Sequence, residues 1–299
     1  HDFYQPNPAL GNCQKTALQK GGIMTSAFAK AIKLGLIGDN INRSKSPRLH
    51  KTAGQLTDLN VTYDRLIPND MGMSFDEVFE QARLGGFRGV NVTYPYKETV
   101  TSSVTVADPF VRAIGAVNTV VFDEDGPKGF NTDYTGFIQA YRSAKGNENP
   151  GAVCLIGTGG VGKAVAFGLV SLNARLIRCV DLDANKADAL ARALQSLGSD
   201  TRVEVATDAT VAVKGVDGII NCTPLGMAGI GGSPLPGAYM RDANWAFDAV
   251  YTPVETAFIQ DARRAGLEVI SGYELFFWQG VEAWKVFCNV PVDHAALRL

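Results

Sequence analysis

Residues 152–183 read AVCLIGTGGVGKAVAFGLVSLNARLIRCVDLD: an apolar run, the pattern Gly157-x-Gly159-x-x-Gly162, a helical stretch, a second apolar run and an acid. This order suits the binding of a pyrophosphate. Gly157 permits a tight turn, Gly159 lets the backbone approach the phosphates, and Gly162 allows helix and strand to pack closely. The loop residues Thr158, Gly160 and Val161 then present backbone N–H groups at a helix N-terminus, where the helix dipole also favours an anion. The acid is Asp181, near the offset at which a carboxylate accepts from the adenosine ribose hydroxyls and repels a 2′-phosphate. Leu182 and Asp183 supply no guanidinium, and Arg178 lies earlier in the strand, so NAD is favoured over NADP. Asp183 suits the same site or, equally, the N-cap of the next helix.

A second set of polar residues gathers in the first half of the chain: Ser44-Lys45-Ser46, Asn91-Val92-Thr93, Lys97, Asn118 and Asn131-Thr132-Asp133. Taken singly, each is ordinary turn or capping chemistry, Ser46 before Pro47 above all. As a set, hydroxyls, amides and one cation suit a small polyhydroxylated carboxylic acid.

These residues need a frame. From residue 32 the chain alternates short apolar runs with helical periodicity: strands over 32–38, 61–67 and 87–94, a helix from Ser46-Pro47 with Ser46 as N-cap, and a helix over 73–86. A further strand over 116–122 precedes a turn at 123–126, and a helix over 134–145 ends in the polar segment GNENPG. A second series runs from 153 to 270, with strands at 153–157, 176–182, 202–207, 218–222, 245–250 and 267–270, and helices at 161–174, 184–198 and 255–266. An apolar helix over 273–287 closes the chain. This is an α/β pattern of mostly parallel sheets, whose ligands bind beyond the carboxyl ends of the strands.

Composition narrows the partners. Twenty-eight basic against thirty acidic side chains leave a net charge of −2, which favours neither nucleic acid nor an anionic membrane, and the chain has no apolar run of transmembrane length. A small molecule is the expected partner. Five scattered cysteines with no C-x-x-C spacing suggest a reducing, cytoplasmic setting, and Cys154, Cys179 and Cys222 sit in apolar runs. His1, His50 and His294 have no companions at metal-ligand spacing, so no metal is expected. Residues 1–30 read as a leader, partly disordered or appended ahead of Met24, the expected natural start.

Seven ordered motifs then carry a resemblance: RSKSPRLH (43–50), GVNVTYPYK (89–97), GAVNT (115–119), GFNTDYTG (129–136), NCTPLGM (221–227), DAVYTPVET (248–256) and ELFFWQG (274–280). Together they resemble the shikimate/quinate dehydrogenase family over about residues 32 to 289. The resemblance implies an N-terminal α/β substrate domain (31–132 with 273–299), a Rossmann-type NAD-binding domain (133–272), and a C-terminal helix that returns to the first domain. It implies a catalytic pair at Lys97 and Asp133. Ser44 and Ser46 would hold the substrate carboxylate, Asn91, Thr93, Asn118 and Gln279 would contact ring hydroxyls, and Tyr251 would close the pocket near the carboxylate. Cys222, Thr223, Leu225, Val250 and Gly272 would line the nicotinamide side.

Most biosynthetic members that this chain resembles carry Asn-Arg-Thr after the second cofactor-domain strand and use NADP. Here Asp181-Leu182-Asp183 stands there, which is more similar to the NAD-using quinate/shikimate enzymes, whereas Ser44 and Ser46 match the shikimate-type carboxylate site. The implied activity is NAD-dependent oxidation of shikimate to 3-dehydroshikimate by a monomer or homodimer. Quinate dehydrogenase, aminoshikimate dehydrogenase and a non-catalytic dinucleotide-binding regulator of the same fold are the alternatives.

Overall fold

The structure, a computed structural model, describes residues 31–298. The leader expected over residues 1–30, with Met24, His1 and Cys13, lies outside the described residues. Strands and helices alternate through β1 (Ile32–Ile37), α1 (Ser46–Leu56), β2 (Val61–Leu66), α2 (Pro68–Met71), α3 (Phe75–Leu84) and β3 (Phe87–Val92). There follow α4 (Pro109–Ile114), β4 (Thr119–Asp123), β5 (Gly126–Phe130) and α5 (Thr132–Lys145). These strands form one sheet in the order β2-β1-β3-β4-β5, with β1, β2 and β3 parallel and β4 and β5 antiparallel.

The second series is β6 (Ala152–Ile156), α6 (Gly160–Ser171), β7 (Leu176–Val180), α7 (Ala184–Gln195), β8 (Arg202–Ala206) and α8 (Ala209–Ala212). It continues with β9 (Gly218–Asn221), β10 (Trp245–Asp248), α9 (Ala257–Arg264), β11 (Glu268–Ile270), α10 (Gly272–Cys288) and α11 (His294–Leu297). Its six strands are all parallel, in the order β11-β10-β9-β6-β7-β8. The chain winds outward from β6 in one direction and then restarts at β9 in the other. The switch point lies between β6 and β9, where doubly wound sheets bind their ligands.

Local chemistry explains where the helices start. Ser74 and Glu77 form a reciprocal capping box on α3, Asp108 caps α4 just before Pro109, Asn131 caps α5, and Asp183 caps α7. One expectation needs correcting. Ser46 is the first residue of α1, not its N-cap: Lys45 holds that position with no side-chain cap, and Ser46 Oγ lies 3.2 Å from Ser44 Oγ instead. The strand expected over 116–122 begins only at Thr119, and residues 126–130, between the expected turn and the GFNTDYTG motif, form the strand β5. Gly126-Pro127-Lys128-Gly129-Phe130 carries no β-branched run, and it becomes extended by pairing with β4.

The two sheets are joined through α5 and α10. Phe137 of α5 is fully buried beside Phe247 and against Gly168 of α6. α10 packs along α5 and reaches back to β3, β4 and α1, burying Phe277, Trp284 and Phe287. Arg88 of β3 fastens its end by donating to the Phe287 carbonyl at 3.1 Å, while also pairing with Asp123 at 2.7 Å. The closing helix therefore returns to the first sheet. Among the described residues, no helix is long and apolar enough to cross a membrane.

Candidate active site

Lys97 follows β3 in a loop whose backbone is tied to the neighbouring segment, Val117 N–H donating to the Lys97 carbonyl at 2.8 Å. Its Nζ meets Asp133 Oδ2 at 2.6 Å, and both side chains are largely shielded, at 20% and 11% exposure. Asp133 stands in the first turn of α5. That turn is held twice: Asn131 Oδ1 accepts from Tyr134 N–H at 3.0 Å, and Asn118 Oδ1 accepts from Thr132 N–H at 2.7 Å. Two buried amides thereby hold the turn that carries the aspartate.

The amides extend the site. Asn91 Nδ2 donates to Thr119 Oγ1 at 3.0 Å and to the Asn118 carbonyl at 3.3 Å, while Asn91 Oδ1 accepts from the Tyr63 hydroxyl at 2.8 Å. Tyr63 also faces Ser46, and burial pushes its phenol pKa well up, so it remains a neutral donor. One continuous polar chain thus runs from the Ser44/Ser46 pair through Tyr63, Asn91, Asn118 and Thr132 to the helix that carries Asp133. Tyr63 was missed in the sequence; the only signal was a tyrosine on the inward-facing register of a strand. Behind it, His50 stacks on Tyr63 with ring centroids 5.1 Å apart, and burial lowers its pKa to about 3, which keeps it uncharged. Thr93 lies over Gly38, where its methyl leaves no room for a Cβ.

Gln279 and Tyr251 come from farther along the chain. Gln279 sits where α10 crosses α5, so close that a Cβ on Gly136 would stand 2.6 Å from the Gln279 nitrogen. Its Nε2 donates to the Phe276 carbonyl at 2.9 Å, and Tyr251 stacks on the Phe276 ring at 5.1 Å. These two expected substrate contacts share one anchor.

On the second sheet the glycines divide by role. Gly157 has φ +95°, and a Cβ there would press on the Cys222 backbone at 2.7 Å; a Cβ on Gly162 would collide with the Gly157 carbonyl. Gly159 and Gly160 behave differently, since a Cβ on either would meet nothing within 4 Å. The first two glycines satisfy packing, and the other two leave the helix N-terminus open to a phosphate, so the loop fits a dinucleotide.

Asp181 Oδ2 accepts from Thr158 N–H at 2.7 Å and from Thr158 Oγ1 at 2.8 Å, and its Oδ1 accepts from Asp183 N–H at 2.9 Å. Burial would raise this carboxyl pKa, but the three donations outweigh burial and hold it below the ordinary carboxylate value. Asp183 caps α7 by accepting from Asn185 N–H at 3.1 Å. Arg178 is engaged by Glu204 at 2.9 Å and by the carbonyls of Ala212 and Lys214. Cys222, Thr223, Leu225, Val250 and Gly272 all follow the carboxyl ends of β9, β10 and β11. Between the two halves, Lys163 in the first turn of α6 pairs at 3.1 Å with Glu98, the residue after Lys97.

A parallel sheet with a glycine turn at its switch point, joined to a second α/β sheet bearing a shielded lysine–aspartate pair, defines the two-domain architecture of Rossmann-type dehydrogenases. Residues 36–120 match the profile of the Shikimate dehydrogenase substrate binding domain. The chain belongs to the shikimate/quinate dehydrogenase family. It is 34% identical to the Shikimate dehydrogenase (NADP(+)) of Pseudarthrobacter chlorophenolicus over 89% of this chain and 92% of that one. It is equally identical, 34%, to the Quinate/shikimate dehydrogenase (NAD(+)) of Corynebacterium efficiens over 90% and 96% of the two chains. The quinate dehydrogenase from Corynebacterium glutamicum, solved in complex with NAD, superimposes with a TM-score of 0.83 at 31% identity, covering 90% of this chain and 97% of that one.

Proposed function

We propose that this protein is a shikimate dehydrogenase that uses NAD, oxidising the C3 hydroxyl of shikimate reversibly to 3-dehydroshikimate. The observation that carries the reading is the shielded Lys97–Asp133 pair at the end of a chain of buried amides and hydroxyls. Oxidising a secondary alcohol needs a proton acceptor beside the carbon that loses hydride. The nicotinamide supplies the hydride acceptor when the dinucleotide is bound. Lys97 Nζ, as the neutral amine, takes the C3 hydroxyl proton and becomes the ammonium, which Asp133 holds while accepting from a second ring hydroxyl. Ser44 and Ser46 donate to the carboxylate, neutral donors sufficing for an anion of this size. Asn91, Thr93, Asn118 and Gln279 contact the ring hydroxyls, and Tyr251 covers the carboxylate end.

In this reading, residues 31–132 and 273–299 form the substrate domain and residues 133–272 the dinucleotide domain, in a cytoplasmic enzyme that is a monomer or homodimer. Cys222, Thr223, Leu225, Val250 and Gly272 line the nicotinamide side. The preference for NAD is supported by Asp181, whose Oδ1 keeps accepting capacity for a ribose hydroxyl and whose charge opposes a phosphate. Arg178, the nearest guanidinium in sequence, is spent on Glu204 and two carbonyls. Gly157, Thr158, Gly159, Gly160, Val161 and Gly162 form the phosphate turn, and Asp183 borders the ribose.

Quinate is the second reading, favoured because the Corynebacterium relatives whose names include NAD are quinate or quinate/shikimate enzymes. The deciding experiment follows nucleotide absorbance for shikimate, quinate and aminoshikimate, each with NAD and with NADP. The proposal expects the highest kcat/KM for shikimate with NAD. A large preference for NADP overturns the cofactor assignment, and preferred quinate or aminoshikimate overturns the substrate assignment. Turnover of none of the acids would favour a non-catalytic regulator.

A further inference from the structure

Asp248 is fully buried and carries a carboxylate to which none of the roles above assigns a task. It ends β10, and three donors converge on it. Thr256 Oγ1 donates to its Oδ2 at 2.5 Å, and Val250 N–H and Asn221 Nδ2 each donate to its Oδ1 at 3.0 Å. Asn221 ends β9 directly across the ladder from Asp248. The second hydrogen on its Nδ2 goes to the Leu225 carbonyl at 3.1 Å, while its Oδ1 accepts from Thr223 N–H at 2.9 Å and Thr223 Oγ1 at 2.7 Å. Thr223 Oγ1 in turn accepts from Leu225 N–H at 3.2 Å.

Two side chains at adjacent strand ends therefore fix the backbone of Thr223, Leu225 and Val250 together. Val250 passes the constraint on, because its carbonyl presses against Gly272 so closely that a Cβ there would collide with it. Four of the five residues read as the nicotinamide side are thus set by one buried knot, and Cys222 lies between two knotted residues. A buried carboxylate is costly unless its lone pairs are satisfied, and these donors satisfy it only while both loops keep this arrangement.

We infer that Asp248 and Asn221 are positioning residues for the nicotinamide half of the dinucleotide site, locking the loops after β9 and β10 into one register. The inference rests on the reading of Thr223, Leu225, Val250 and Gly272 as that half. It predicts a selective defect. The adenosine half depends on Asp181, whose donors Thr158 and Asp183 lie outside the knot, and the knot meets the glycine turn where Gly157 packs on the Cys222–Thr223 peptide.

The test compares two affinities by fluorescence and calorimetry: for the reduced dinucleotide that the wild type binds more tightly, and for the ADP-ribose, or 2′-phospho-ADP-ribose, that lacks its nicotinamide. Asp248→Asn alters the acceptor and leaves the Thr256 cap on α9 in place. Thr256→Val removes both the donor to Asp248 and the α9 cap, so its effect is read from the ratio of the two affinities, and Thr256→Ser keeps both. Asp248→Asn and Thr256→Val should weaken the reduced dinucleotide about tenfold while leaving the ADP-ribose compound within about twofold, the scale of one well-placed polar contact. Both should lower kcat more than they raise the KM for the acid, and Thr256→Ser should restore wild-type behaviour.

An unchanged ratio of the two affinities, or a parallel loss of both, overturns the inference. If Asp248→Asn does not fold, the Thr256 pair gives the same reading. A wild type that binds the dinucleotide but oxidises none of the acids overturns the proposed function while leaving the affinity ratio readable. A wild type that binds neither dinucleotide overturns both.

Discussion

Lys97 and Asp248 illustrate two ways in which a single side chain is put to use. The lysine is held by one short ion pair at a largely shielded position, so Lys97→Met should keep the fold and, on the proposed mechanism, lose the proton acceptor. The expected result is a fall in kcat of about a hundredfold or more with little change in melting temperature, and near-wild-type kcat would remove Lys97 from the mechanism. For Asp248, burial outweighs the donations from Thr256, Val250 and Asn221 and raises its pKa from 3.8 to about 6. A pKa raised in the folded state means that the native state favours the protonated acid. The stabilisation is complete below pH 3.8 and is lost as the pH rises through 6, a span worth roughly 3 kcal/mol. Urea unfolding should therefore find wild type gaining about 1 kcal/mol relative to Asp248→Asn between pH 7.5 and pH 5. A pH-independent difference would contradict this assignment.

At the level of elements, the crossing of α5 and α10 does most to assemble the substrate site. Gly136 allows the approach, and Asp133 and Gln279 ride on the two helices that meet there. Gly136→Ala should push α10 outward, costing about 1–3 kcal/mol by overpacking and raising KM for the acid more than KM for the dinucleotide. Chemical denaturation and steady-state kinetics together would check it. Most of these elements are legible in the sequence because their signals are local: apolar runs for β6 and β7, Gly157 closing the first, Asp183 as a cap, and a glycine turn. The errors also have local causes. Ser46 looks like a cap beside Pro47, but its hydroxyl is turned toward Ser44, and β5 has a composition that only its partner strand makes extended.

For the whole molecule, α10 is the element that makes two sheets into one enzyme. It buries Phe277, Trp284 and Phe287, and Arg88 grips its end across 199 positions of sequence. A chain ending at residue 271 should lose cooperative unfolding of the first sheet, since burial of large aromatic side chains contributes several kcal/mol. Circular dichroism melts and solubility would measure this, and an equally cooperative truncated protein would refute it. The Lys163–Glu98 pair also spans the halves, but as an exposed ion pair it contributes at most about 1 kcal/mol.

The sequence by itself determined the α/β class and the glycine turn with its acid, because each is written in short patterns whose chemistry depends on neighbours in the chain, and its ordered motifs carried the family, whose resemblance implied the Lys97/Asp133 pair. Only the tertiary structure decided what holds those residues in place. Tyr63 bridging Ser46 to Asn91, the Asp248–Asn221 knot, and the meeting of Gly136 with Gln279 join residues 17 to 143 positions apart. Their hydrogen bonds and close contacts arise from strand pairing and helix crossing, which bring distant residues together in ways that no local pattern encodes.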